Sequence, residues 1–88
     1  MPIPAQQKAL IIPAAGADFQ VGILDVPKPD AGEVLVRVEV LGLNPVDWKI
    51  QQWGIVVTEY PAVVGCEVTG VVVEAGPNVT NLSVGDLV

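Results

Sequence analysis

The chain has 88 residues, of which 51% are hydrophobic and 16% charged, a balance that excludes intrinsic disorder and sets the size of one small domain. Its net charge of −6, with only four Lys and Arg, offers nucleic acid and anionic membrane surfaces no basic patch to bind. No apolar run is long enough to span a bilayer and "MPIPAQQKAL" lacks the basic and apolar regions of a signal peptide, so the expected location is the cytoplasm.

The first predicted strand runs from Gln7 to Ile12 and ends at Pro13. "AAGAD" reads as a turn, and the alternation in "FQVGILDVP" predicts a second strand from Phe19 to Val26. "PKPDAGE" is a loop by its two prolines, Asp and Gly. The strongest strand pattern follows in "EVLVRVEVLGL". Val34, Val36, Val38 and Val40 fall on one face at period two, with Arg37 and Glu39 on the other. This pattern predicts one buried face and one half-exposed face, as in an antiparallel strand.

The strand pattern then stops at "NPVDWKIQQW". Asn44 suits a helix N-cap, Pro45 the first helical position and Asp47 the third, near the positive helix end. Gly54 ends this short helix. "IVVTEYP" is ambiguous between strand and loop, and Tyr60-Pro61 breaks the chain again. "CEVTGVVVEAG" predicts a long strand interrupted at Gly70, where an interior glycine points to a bulge or a close backbone approach. "GPN" is a turn, and "VGDLV" begins another strand with nothing to cap it, so the domain is expected to be incomplete at its C-terminal end. The single Cys excludes an internal disulfide. Asn78 and Asn81 stand in glycosylation-type sequons, but without a secretory signal they are expected to be turn residues only.

Taken together, "GEVLVRVEVLGLNPVDWKI" and "YPAVVGCEVTGVVVEAGPNVTNLSVGDLV" resemble the GroES-like N-terminal domain of the medium-chain dehydrogenase/reductase superfamily. The likeness runs from about Lys8 to Val88 and is strongest over Glu33–Asp47 and Pro61–Val88. It implies a mainly β fold, a partly open GroES-like β-barrel with one short helix over residues 1–88, truncated at its C-terminus and without the Rossmann domain that follows it in the family. The zinc-dependent branch places a Cys three residues before the Asp and a His before the Glu. Here those positions hold Asn44 and Cys66, and the chain has no His. Asn is a poor zinc ligand, and a catalytic zinc needs about three protein ligands. The departures place the sequence in the zinc-free branch.

Within that branch, "NPVDWK" resembles quinone-oxidoreductase-like enzymes and fungal trans-acting enoyl reductases. The resemblance implies that Asn44, Pro45, Val46, Asp47, Trp48 and Lys49 border the nicotinamide half of NADPH. It also implies reduction of an activated double bond in a small-molecule or acyl-thioester substrate, with a polyketide synthase as partner where the enzyme acts in trans. No G-x-G-x-x-G fingerprint occurs in the chain, so NADPH binding is expected to need the further domain.

Each of these residues also has a purely structural reading. Asn44 serves equally as a helix cap, Asp47 as a first-turn acid, Trp48 as packing under the turn and Lys49 as a solvated side chain. Cys66 is expected to be a small buried residue rather than a reactive thiol. Glu67, in an apolar run, needs a partner if buried, with Arg37 and Lys49 as candidates. Two alternatives to the enzyme stay open: a non-catalytic remnant or small binding module of the same fold, and a fragment of a zinc alcohol dehydrogenase.

Overall fold

A computed structural model describes residues 2–88. The elements in chain order are β1 (Gln6–Ile11), β2 (Gln20–Asp25), β3 (Val34–Gly42), α1 (Pro45–Trp53) and β4 (Glu67–Ala75). β1 and β2 pair antiparallel, with Gln6 opposite Asp25 and Ile11 opposite Gln20. β3 and β4 form a second antiparallel pair, from Val34 opposite Ala75 to Gly42 opposite Glu67. Among the described residues these two-stranded sheets do not close into a barrel. The predicted strands thus exist with bounds shifted by a residue or so. "IVVTEYP" is not a strand; only Ala62, just beyond it, joins a ladder, through a bridge to Ile12.

That bridge ties the end of β1 to the segment before β4. The Ile12 N–H donates to the Ala62 carbonyl at 2.8 Å, and the Ala62 N–H donates back to Ile12 at 2.9 Å. Ile11, Ile12, Ala62 and Val72 are the buried apolar core, with Ile12 and Val72 at 1% and 0% exposure. β4 is also paired on its far edge. The Val88 and Gly70 backbones exchange two hydrogen bonds of 3.0 Å, the Val72 N–H donates to Asp86 at 2.9 Å, and Val71 bridges Leu87. The strand expected to begin in "VGDLV" is present only as an isolated bridge at Leu87 with flanking hydrogen bonds, which occupies the second edge of β4.

The register of β3 on β4 slips twice, between Leu35 and Val36 and between Val38 and Val40. The first slip leaves Val73 without a ladder partner and the second leaves Glu39 without one, so the two offsets cancel. Each bulge bends its strand and resets the alternation. The expectation that Val34, Val36, Val38 and Val40 share one buried face is corrected here. Val34 and Val36 are half-buried, but Val38 and Val40 are 53% and 63% exposed. The bulge at Glu39 interrupts the period, and no strand or helix other than β4 packs closely along this half of β3.

Two further expectations are overturned at the start of β4. Cys66 is exposed rather than buried. Glu67 is exposed as well, so it needs no counter-charge, and Arg37 pairs instead with Glu39 at 2.8 Å on the exposed face of β3. The apolar character of "VVGCEVTGVV" is realised in its second half, where Gly70 and Val72 are buried; its first half lies at the open end of the sheet.

A candidate cofactor-facing cleft at the start of the helix

Asn44 is extended (φ −131°, ψ 150°) and stands at the N-cap, Pro45 follows at the first helical position and Asp47 at the third, as the sequence predicts. The Asn44 N–H donates to Asp47 Oδ2 at 3.1 Å, and the Asp47 N–H donates to the Asn44 carbonyl at 3.0 Å. This return bond supplies one of the donors that a helix start leaves unpaired. At the other end Gly54 takes the left-handed conformation (φ 63°), and its N–H donates to the Ile50 carbonyl at 3.1 Å. Such a cap favours a residue without a Cβ.

The helix buries no residue. Gln51 Nε2, which donates to the Ala17 carbonyl at 2.7 Å, fastens it to the turn before β2. The sequence reading did not single out Gln51, because nothing in a polar side chain on a polar helix marks which distant carbonyl it meets.

The helix start opens on a cleft of about 560 Å³ between β1, the end of β3 and the segment before β4. Asn44, Asp47 and Trp48 line it together with apolar side chains such as Leu10, Phe19 and Leu41. Val63, Val64 and Gly65 form the wall opposite in sequence, and these too were not foreseen. A cleft that is mostly apolar with a few converging polar groups is the usual form of a small-molecule site.

Of the six candidate residues, Pro45, Val46 and Lys49 do not line the cleft. Val46 is exposed, and Lys49 is half-buried with its Nζ 5.8 Å from the centre of the Trp48 ring. Trp48 does not pack under the turn. It is 47% exposed and meets Trp53 edge-on, with ring centres 5.6 Å apart and planes at 69°. Such a pair is held by the ring quadrupoles as well as by burial. Within the corner, Asn44 Nδ2 and Asp47 Oδ1 are buried with no hydrogen-bond partner.

These features define a GroES-like β domain whose helix start faces a ligand-sized cleft. Residues 30–88 match the alcohol dehydrogenase GroES-like domain family. A dehydrogenase of Emericella nidulans is 37% identical over 84 residues, covering 96% of this chain and 24% of its own length. A trans-enoyl reductase of Fusarium mangiferae is 44% identical over 79 residues, covering 90% of this chain and 21% of its own. Among solved structures, a thermostable alcohol dehydrogenase from Pyrobaculum aerophilum superposes with a TM-score of 0.86 at 35% identity, over 93% of this chain and 25% of that one. The chain belongs to the alcohol dehydrogenase GroES-like domain family, and so to the medium-chain dehydrogenases/reductases. It spans about a quarter of the length of these relatives.

The family uses a nicotinamide cofactor and, in one branch, zinc. The buried, unpartnered polar atoms of Asn44 and Asp47 beside an apolar cleft fit the polar end of a nicotinamide or substrate. A catalytic zinc does not fit the same corner. Among the described residues no group of three His, Cys, Asp or Glu side chains is placed to hold a metal. Asn44 offers that corner only a neutral amide, which is a poor zinc ligand. Among the described residues no helix is long and apolar enough to cross a membrane.

Proposed function

We propose that this domain forms one wall of the active site of a zinc-free, NADPH-dependent oxidoreductase that reduces activated carbon–carbon double bonds. The observation that carries the reading is the convergence of Asn44, Asp47 and Trp48 on one mostly apolar cleft. A relative that carries the name trans-enoyl reductase and is 44% identical supports it. Asn44, Asp47 and Trp48 border the nicotinamide end and the reacting atoms, while Pro45, Val46 and Lys49 stand on the same helical turn outside the cleft. NADPH, when bound, supplies the hydride. The chain's own part is to orient the substrate, exclude water with the apolar wall and offer hydrogen bonds where charge develops.

The substrate class is an α,β-unsaturated thioester or ketone. In the trans-acting form of the reading, a polyketide synthase delivers it. Pyrophosphate recognition falls to a Rossmann domain, because residues 1–88 contain no G-x-G-x-x-G turn.

The test joins this chain to the Rossmann domain of a relative such as the Emericella dehydrogenase. NADPH oxidation is followed with a crotonyl thioester in the presence of a chelator. The expected outcome is chelator-resistant oxidation that depends on the double bond. Alcohol oxidation abolished by chelator, with no enoyl reduction, overturns the reading. Absence of either activity from a folded, NADPH-binding protein favours the binding module.

A further inference from the structure

We draw no further inference here: the strongest candidate, a second cleft of about 600 Å³ between β1 and β3 that Lys8 and Arg37 line with mostly apolar side chains, carries nothing, because it shares Gln7, Lys8, Val38 and Val63 with the cleft already described, Arg37 is engaged by Glu39, and nothing in the structure shows what covers its apolar wall.

Discussion

A Cβ placed on Gly70 would lie 2.2 Å from the Arg37 carbonyl oxygen and 2.7 Å from Val36 Cγ1. The approach of β4 to β3 is therefore set by a residue with no side chain. Gly70 also faces the other way, exchanging two hydrogen bonds with Val88. Neither neighbour is free to retreat, because the backbone of Arg37 belongs to a ladder continued on both sides. Gly70→Ala is expected to cost about 3 kcal/mol. A domain of this size has a thin margin, so the variant should show collapsed amide dispersion or a much earlier urea midpoint. A midpoint within error of the parent would show that the strands separate more cheaply than the contacts indicate.

Gly70 also shows what was legible in the sequence. An interior glycine in a Val-rich run announces a close approach, and the structure has one, with a bulge next to it. The helix was legible for a similar reason: Asn44, Pro45, Asp47 and Gly54 act within a few residues of themselves, so local chemistry fixes both ends. Burial was less legible. Val38 and Val40 have the pattern of a buried face, yet a pattern records only which side chains lie together and not whether another layer covers them. Glu67 and Cys66 were misjudged for the same reason, since their apolar neighbours in sequence are not their neighbours in space. The cleft was half legible. Asn44, Asp47 and Trp48 share one helical turn, but Phe19 and Val63 reach it only through tertiary folding.

The helix hangs on few contacts, which makes Gln51 a selective probe. Its amide donates to the Ala17 carbonyl at 2.7 Å across 34 positions of sequence, in a part-buried setting. No side chain of the helix is fully buried, so little apolar burial is left to replace the bond if it is lost. Gln51→Ala is expected to cost about 1 kcal/mol. The loss should be local, with faster amide exchange over residues 45–54 and little change in β3 and β4. Uniform acceleration across the sheet would mean that the helix and the β3–β4 pair unfold as one unit.

Val56 has a left-handed backbone, φ 71°, although it is β-branched. The Val57 N–H donates to the Ile55 carbonyl at 2.8 Å, which closes the chain tightly around it. The left-handed region costs an ordinary L-residue about 1–2 kcal/mol. The Val56 side chain is 79% exposed, so packing returns little of that. Glycine removes the steric cost and adds an unfolded-state entropy of about 0.5–1 kcal/mol. Val56→Gly is therefore expected to raise stability by about 0.5 kcal/mol, read as a later urea midpoint with an unchanged slope. A fall of about 1 kcal/mol or more would show that Val56 makes a contact that its exposure conceals.

Zinc separates the branches of the family, and the donor set predicts which way the test falls. Zinc favours thiolate and imidazole, and a catalytic site takes about three protein ligands. The chain has no His and one Cys. Cys66 is exposed and Glu67 beside it is exposed, while Asn44 offers only a neutral amide. A thiolate and a carboxylate adjacent in sequence at the start of a strand project to opposite faces, so they do not converge on one ion. A later domain contributing a single ligand would still leave the set short of three. The completed protein, purified without added metal, is therefore expected to hold zinc well below one equivalent by elemental analysis. Its thioester reduction should be unchanged by excess chelator, and Cys66→Ser should leave that rate within about twofold, the scale of a surface change. Stoichiometric zinc, with activity lost on chelation and restored by the metal, would make Cys66 a ligand. It would also return the domain to the zinc-dependent branch.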